Sequence, residues 1–348
     1  MIDLMSMTFQ ELSDFCKEKK YPAFRAKQLY SWLRRGADFH EMTNLPGAMR
    51  EQLAGEAVAV PVKIILERVS QKDGTEKYLY ELSDGNRIEG VLMHNRHGDS
   101  LCVSTQVGCR MGCRFCASTL EGCVRNLTAG EILGQYTAVE RHMKEKDPDA
   151  RISNIVLMGS GEPFDNYDNV VKFLRRMAEA EFGGISIRSI SLSTCGLVDR
   201  MYQFADEGLP VTLSLSMHAP NDVIRKQLMP IANKYSLEET LGACKNYIEK
   251  TGRRVILEYS MVHETNCSLK DADELAGRLR GMQVHVNLIP LNDVPERGLK
   301  GPTPQEAEAF QKRLDMRHIS VTRRRSMGED IEGACGQLRR SVGAKTEE

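Results

Sequence analysis

The sequence predicts an α/β protein built around a partial (βα)6 barrel, with a small helical domain and a β-hairpin linker before it. From Leu101 onward, short apolar strands alternate with amphipathic helices, which is typical of βα units around a parallel sheet. Capping residues mark helix starts, such as Thr128 with Glu131 and Thr303 before Pro304. The 348 residues leave room for such a barrel and a smaller appendage.

Three segments follow one another along the chain. Residues 1–58 have apolar positions at helix spacing and predict a helical, RNA-binding accessory domain. Residues 59–97 alternate apolar and polar positions and are broken by Asp-Gly turns at Gly74 and Gly85, which indicates a β-hairpin linker. Residues 98–348 hold the barrel and a C-terminal loop. The predicted barrel strands are LCVST, ISNIVLM, SIRSISLS, VTLSLSM, VILEYSMV, VHVNLIP and HISVTRR.

The unusual loops of the predicted barrel all follow strands. In such barrels the chemistry takes place at the carboxyl ends of the strands, where the βα loops meet. We therefore expect the functional site at this edge. The loops concerned are the cysteine-rich run after LCVST and the stretches GSGEP, STCG, MHAP and PLND.

Composition favours an ordinary globular protein, because 41% of the residues are hydrophobic and 27% are charged. The net charge of -1 gives no overall sign of a nucleic-acid partner, so any RNA contact must come from local basic groups. A solvated surface is the alternative interpretation of each group. The candidate groups are Arg34-Arg35, Lys17 with Lys19 and Lys20, and Arg323-Arg324-Arg325.

The chain has no secretory signal and no apolar run that approaches the roughly 18 residues of a membrane span. These features predict a cytoplasmic protein without a membrane partner. In a reducing cytosol, ten cysteines indicate metal binding or redox chemistry rather than structural disulfides. Several single cysteines have the alternative role of small buried apolar side chains. These are Cys16, Cys123, Cys195, Cys244 and Cys267.

Cys109, Cys113 and Cys116 have the spacing C-x3-C-x2-C, which lets one inorganic centre gather three thiolates. A structural zinc would need a fourth ligand, for which Cys123 is the candidate, and this alternative predicts a non-catalytic zinc-containing RNA-binding protein. Three thiolates on a four-iron cluster would instead leave one iron open. A chelating substrate can occupy that open position.

The spacing, together with Phe115 before the last cysteine, resembles the radical S-adenosylmethionine (SAM) superfamily. The resemblance implies a 4Fe-4S cluster on Cys109, Cys113 and Cys116 and SAM bound to the open iron. Reduction of SAM by the cluster would then release a deoxyadenosyl radical. Gly108 would let the backbone bend closely around the cluster.

Nearly the whole chain resembles one family, the methyltransferases that modify carbon 2 of adenine in ribosomal RNA and tRNA. The stretches that carry this resemblance are LCVSTQVGCRMGCRFCAS, RNLTAGEI, VLMGSGEPFDN, SLSTCGLV, LSMHAPND, VNLIPLN and GEDIEGACGQL. The resemblance implies a SAM pocket, and polar groups at strand ends suit its ammonium, carboxylate and ribose. The implied pocket residues are Gly161, Glu162, Ser193, Ser216, Met217, His218 and Asn292.

The same resemblance implies three catalytic residues. Cys335 would be methylated by one SAM and pass a one-carbon unit to the base, so that two SAM molecules are used per turnover. Cys102 would resolve the covalent RNA–protein adduct by forming a transient disulfide with Cys335, and Glu89 would accept a proton. Carbon 2 of adenine is electron-poor and lacks a usable lone pair. A radical can add to it where direct displacement on SAM cannot.

The implied partners are large-subunit (23S) rRNA, tRNA near the anticodon and a low-potential electron donor, with the chain acting as a monomer. The target adenine must leave its stack, which requires a deformed or partly unstacked RNA. The alternative is the related family that methylates carbon 8 of an rRNA adenosine and confers antibiotic resistance. Pro163 of GEP favours carbon 2. Departures from the family pattern are Gly90, Met217 and Cys267.

Overall fold

The computed structural model describes residues 1–96, 98–179 and 185–339. The predicted linker boundary at His97 and residues 180–184 and 340–348 of the predicted barrel domain lie outside the described residues. The helices are α1 (Phe9–Glu18), α2 (Phe24–Arg34), α3 (Gly47–Glu56), α4 (Ala129–Lys146), α5 (Tyr167–Ala178), α6 (Val198–Asp206), α7 (Asp222–Leu228), α8 (Leu237–Thr251), α9 (Leu269–Leu279) and α10 (Pro304–Met316).

The strands fall into three sheets, of which one runs through most of the molecule. They are β1 (Ile2–Asp3), β2 (Ala57–Val58), β3 (Val62–Val69), β4 (Glu76–Leu82), β5 (Arg87–Met93), β6 (Asp99–Cys102), β7 (Gln106–Gly108), β8 (Cys123–Asn126), β9 (Ile152–Leu157), β10 (Ile190–Thr194), β11 (Thr212–Ser216), β12 (Val255–Met261), β13 (Val284–Pro290) and β14 (Val321–Arg323).

The main sheet has ten strands in the order β14-β13-β12-β11-β10-β9-β6-β5-β4-β3. The seven strands from β14 to β6 are parallel, and helices α4 to α10 form the six crossovers between them. This confirms the predicted partial (βα)6 barrel. Within the described residues the strand order is linear, so the barrel does not close. Its core is filled by apolar side chains such as Leu192, Leu213 and Leu257, each at most 1% exposed.

All seven predicted barrel strands are present, but the predicted bounds were wrong at several ends. The stretch SIRSISLS becomes a strand only at Ile190, because residues Ile187–Ser189 form a 3-10 turn capped by the Ser186 hydroxyl. The stretch LCVST leaves the sheet after Cys102, where the chain turns towards the cysteine-rich loop. The capping box predicted at Thr128 is formed, and so are the N-cap predicted at Thr303 and the proline after it, where Thr303 also forms a capping box with Glu306.

The hairpins β3–β4 and β4–β5 form as predicted, with Gly74 and Gly85 at positive φ in their turns. They are not a separate sheet, because β5 pairs with β6 and so extends the barrel sheet by three antiparallel strands. The N-terminal helices pack against the same core. The Asp3 carboxylate accepts a 2.6 Å hydrogen bond from the Thr128 hydroxyl at the start of α4. Among the described residues, no helix is long and apolar enough to cross a bilayer.

Candidate active site

The three cysteines of the C-x3-C-x2-C motif lie in a loop between the antiparallel strands β7 and β8. Gly108 permits this loop, because its φ is +78° and a Cβ there would lie 2.0 Å from the Gly122 carbonyl oxygen. On its far side the loop is held by the Arg114 amide, which donates to the Leu228 carbonyl. The Phe115 ring meets the His218 ring edge-on, with centroids 4.6 Å apart.

Cys109, Cys113 and Cys116 line one wall of a cavity of about 920 Å³, part of it open to solvent, which we call the cluster cavity. Burial raises the pKa of the Cys109 thiol to about 12 and that of Cys113 well above its usual value. Thiolates in such a place need a bound cation to offset the loss of water. Soft sulfur ligands around a roomy cavity fit an iron–sulfur cluster.

A single-ion zinc site fits less well. Within the described residues, no group of three or more His, Cys, Asp or Glu side chains is close enough to hold one metal ion. A four-iron cluster binds each cysteine through a different iron, so it accepts a wider spacing of sulfurs. Cys123, the candidate fourth zinc ligand, does not line the cluster cavity, and its sulfur lies 3.8 Å from the Arg125 carbonyl oxygen.

Besides the cysteines, the cluster cavity is lined by polar groups from the carboxyl ends of the strands, as the barrel pattern predicted. Glu162 is 4% exposed, and its two carboxylate oxygens accept from the amides of Phe164 and Cys195 at 3.0 and 2.7 Å. Burial nevertheless raises the pKa of this carboxyl group. The Ser193 and Ser216 hydroxyl oxygens are 3.4 Å apart across β10 and β11.

His218 presents a neutral imidazole to the cluster cavity. Its Nδ1 accepts from the Ser260 amide at 2.8 Å, which leaves the proton on Nε2. Burial, with a contribution from the Arg225 cation, lowers the pKa of His218 to about 3. Met217 is fully buried and packs in the barrel core rather than lining the cavity. A contact between Met217 and SAM therefore stays a prediction.

Gly161 lies where the backbone passes closest to the start of the cysteine-rich loop. Its φ is +111°, and a Cβ would lie 2.7 Å from the Gln106 nitrogen. We expect Gly161→Ala to destabilise the protein by about 1–3 kcal/mol and to weaken SAM binding, because the backbone must shift. Thermal unfolding and equilibrium dialysis of SAM would measure both effects. Gly277→Ala in α9 is the matched control, since nothing lies within 4 Å of its Cβ position.

A second cavity of about 620 Å³, lined by Cys102, Arg324 and Cys335, adjoins the cluster cavity, and we call it the thiol cavity. Cys335 lines both cavities, so its residue forms part of the wall between them. Cys102 ends β6 and is 7% exposed. The two cysteines are both free thiols. The structure thus brings together two residues that are 233 positions apart in the sequence.

Asn292 holds the Cys335 backbone in place. Its Nδ2 donates to the Cys335 carbonyl at 3.0 Å, and its Oδ1 accepts from the Ser326 hydroxyl at 2.8 Å. Glu89 lines neither cavity. It is 5% exposed on β5, where its carboxylate pairs with Lys77 and accepts from the Arg339 amide.

Two residues that sequence reasoning did not select also belong to the site. Glu258, 4% exposed on β12, lines the cluster cavity and accepts from the Asn287 amide at 2.8 Å. A charged residue within the apolar stretch VILEYSMV was the signal that could have revealed it. Arg324 was grouped with Arg323 and Arg325 as a possible RNA-contacting surface patch. Arg324 differs from its two neighbours in position, because its guanidinium lies against the Met93 and Met158 sulfurs and it lines the thiol cavity; its contact with RNA stays a prediction.

Comparisons with known proteins agree with this geometry. A model of the Radical SAM superfamily matches residues 103–276, and a model of the ribosomal RNA large subunit methyltransferase N-terminal domain matches residues 2–59. The crystal structure of a radical SAM methyltransferase from Sphaerobacter thermophilus is similar, with a TM-score of 0.93 and 40% identity. The match covers 97% of this chain and 99% of that one.

Curated relatives are similar along their whole length. A protein of Clostridium botulinum (strain Eklund 17B / Type B), named "Probable dual-specificity RNA methyltransferase RlmN", is 49% identical over 353 residues, which is 100% of this chain and 99% of the relative. A protein of the same name from Lachnoclostridium phytofermentans is also 49% identical. That match covers 99% of this chain and 96% of the relative.

Proposed function

This chain belongs to the RlmN family of radical SAM RNA methyltransferases, and we propose that it methylates carbon 2 of adenosine in large-subunit (23S) rRNA and in tRNA near the anticodon. Its cofactors are a 4Fe-4S cluster and SAM. The single observation that carries the proposal is that Cys335 borders both the cluster cavity and the cavity containing Cys102. A methyl carrier needs access to both.

We assign the cluster to Cys109, Cys113 and Cys116, and the SAM contacts to the polar groups on the facing wall of the cluster cavity. When bound, cluster and SAM supply the methyl group and the one-electron chemistry that an electron-poor carbon requires. The Glu162 carboxylate and the Ser193 and Ser216 hydroxyls would orient the charged and ribose groups of SAM. The neutral His218 ring adds one Nε2–H donor without adding charge. The assigned SAM-contacting residues that line this cavity are Gly161, Glu162, Ser193, Ser216, His218 and Asn292, whereas the side chain of Met217, which was predicted with them, lies in the core.

The chain's own thiols would carry the one-carbon unit. Cys335 accepts it as a methylthioether on its sulfur and presents it to the RNA base. The Cys102 sulfur then attacks the Cys335 sulfur, so that an S–S bond forms while the S–C bond to the base breaks. The electron pair of the broken bond stays with the carbon, which gains a proton to become the methyl group. A low-potential donor later reduces the Cys102–Cys335 disulfide and restores both thiols.

Glu89 is assigned as the proton acceptor on family resemblance. Its position supports a role beside the thiol cavity, because Glu89 on β5 lies on the same sheet face as Cys102 on β6. The Val91–Cys102 pairing in the sheet fixes this arrangement.

We further propose that residues 1–58 help to bind the RNA, and that the chain acts in the cytoplasm as a monomer. Exposed basic side chains that remain available for phosphate contacts include Arg34 and Arg35 at the end of α2, beside Lys144 of α4. Arg323 and Arg325 are also exposed, and Arg325 lines the thiol cavity. Neutralising phosphates would make binding strongly salt-dependent.

Three departures from the family pattern have local explanations. Gly90 is needed because a Cβ there would lie 2.8 Å from the Tyr80 ring and 3.0 Å from the Cys102 carbonyl oxygen. Cys267 is buried, and its thiol donates to the Val262 carbonyl at 3.2 Å. Met217 packs in the core. These residues therefore support packing and do not weigh against the proposed activity.

Product mapping tests the proposal. The protein is reconstituted with iron and sulfide without oxygen, then incubated with SAM, a reductant and an rRNA fragment, and the modified nucleoside is compared with 2-methyladenosine and 8-methyladenosine standards. We expect methyl at carbon 2 and an iron content that Cys109→Ala removes. Methyl at carbon 8 would favour the antibiotic-resistance activity instead. One zinc per chain without iron would contradict both enzymatic functions.

A further inference from the structure

The segment that carries Cys335 is attached to strands β4 and β5 of the main sheet on both sides of that residue. Lys77 Nζ lies 2.9 Å from Glu89 Oε1, and the two side chains are 6% and 7% exposed. Lys77 Nζ also donates to the Glu332 carbonyl at 3.1 Å, three residues before Cys335. Glu89 Oε2 accepts from the Arg339 amide at 2.9 Å, four residues after it. The buried Lys77–Glu89 ion pair thus binds the backbone of the segment at two residues, Glu332 and Arg339.

The ion pair and Cys102 share one face of the sheet. Lys77 pairs with Val91, Val91 pairs with Cys102, and Glu89 is two residues from Val91 on β5. Leu338 of the segment packs in one cluster with Val91 and Cys102. Because strand register fixes these positions, the ion pair sets the place of the segment relative to Cys102.

A packing role alone does not account for this pair. Two buried charges lose their hydration, and apolar side chains of similar size would pack at least as favourably. Apolar side chains, however, could neither donate to the Glu332 carbonyl nor accept from the Arg339 amide. The pair supplies those two backbone contacts, and in doing so it fixes the conformation of the segment around Cys335.

Other contacts hold the same segment from the barrel side. Asn292 donates to the Cys335 carbonyl, the Ala117 amide donates to the Gly336 carbonyl at 2.7 Å, and the Ser118 hydroxyl donates to the Leu338 carbonyl at 2.6 Å. Loss of the ion pair should therefore release the Cys335 segment from β4 and β5, while these other contacts still hold it to the barrel.

We propose that Lys77 is a positioning residue, which with Glu89 forms a clamp that holds the Cys335 sulfur at the wall of the thiol cavity. The clamp adds a positioning residue to the proposed function. It rests on that function only for the chemical role of Cys335. The arrangement itself is a property of the protein without RNA. It assigns Glu89 a structural task in addition to the proposed transfer of a proton.

Site-specific alkylation tests the clamp. The reconstituted protein is treated with iodoacetamide without oxygen, and the labelling rate of each cysteine is followed by peptide mass spectrometry. Lys77→Met should raise the labelling rate of Cys335 about tenfold, because local opening of the segment exposes its thiol. Lys77→Arg keeps a cation and donors and should stay near the wild-type rate. Cys244, buried in α8, reports global unfolding and should stay unlabelled.

Two further variants complete the design. Lys63→Met makes the same substitution at an exposed position on β3 and should not change Cys335 labelling. Lys77→Met combined with Glu89→Gln removes both charges, so no unpaired buried carboxylate can unfold the protein, and it should still raise the labelling rate. A Cys335 rate within about twofold of wild type in both Lys77→Met variants would overturn the clamp.

The outcome is separable from that of the proposed function. If the wild-type protein fails to methylate RNA, the proposed function fails, while the labelling comparison still decides whether the clamp exists. If methylation succeeds and labelling of the Lys77 variants is unchanged, only the clamp fails. A role for Lys77 in general stability alone would raise labelling of Cys244 and Cys335 together.

Discussion

Replacing Cys335 by alanine is expected to abolish RNA methylation while leaving the iron–sulfur cluster intact. Cys335 belongs to the wall shared by the cluster cavity and the thiol cavity, which suits the proposed role of its sulfur as carrier of a one-carbon unit. Alanine has no nucleophile, and loss of a covalent catalyst costs roughly a thousandfold or more. The backbone contacts from Asn292 and Ala117 do not require the thiol.

The measurement is methyl transfer to rRNA under single-turnover conditions, with iron content, visible absorption and SAM cleavage to deoxyadenosine recorded in parallel. Cys123→Ala is the matched control, because Cys123 is partly exposed and lines neither cavity. It should retain iron and activity. Methylation that persists in Cys335→Ala would contradict the role assigned to Cys335. Iron loss in Cys123→Ala would instead support a metal site in which Cys123 is the fourth ligand.

Replacing Cys102 by alanine is expected to trap the RNA on the protein. The proposed adduct joins the base to the Cys335 sulfur, and its release needs a second sulfur within the thiol cavity. Burial, and to a lesser extent Cys335, raise the pKa of the Cys102 thiol to about 12, whereas the Arg324 cation opposes the rise. Below pH 12 the thiolate fraction increases with pH, so release by the wild-type protein should accelerate as the pH rises.

On a denaturing gel, labelled RNA that is covalently attached to the protein would run as a band heavier than the protein alone. Ribonuclease would lower the apparent mass of this band. Cys102→Ala should accumulate this band to about one per active chain, whereas the double variant Cys102→Ala with Cys335→Ala should show none. Free methylated RNA at wild-type rate from Cys102→Ala would exclude a resolving role for this thiol. A band in the double variant would place the adduct on another residue.

The sequence predicted the parts of the site that depend on short-range patterns. From the spacing of Cys109, Cys113 and Cys116 and the polar loops after strands, we expected these residues at one edge of the sheet, and they do line one cavity, because parallel strands bring their carboxyl ends together. The expected fold and family followed from the same stretches, and both are confirmed.

Residues that act through long-range packing were not predictable in this way. Nothing in the pattern RRR distinguishes Arg324, which turns towards the thiol cavity, from its two exposed neighbours. Glu89 fell within the predicted hairpin linker, but its buried pairing with Lys77 was not evident from the sequence. The pairing of Lys77 with Glu89 depends on the register between β4 and β5. The other contact of Lys77 is with Glu332, which lies 255 residues further along the chain. Such contacts need the folded arrangement.

The position of Cys335 in the wall between the two cavities also affects which step limits the rate of the catalytic cycle. Because Cys335 lines both cavities, its sulfur needs only a change of side-chain torsion, and no domain motion, to serve both. Such rotations are far faster than the ms motions of whole domains. We therefore expect the arrival and departure of RNA and spent cofactor, and not the movement of Cys335, to limit the rate of turnover.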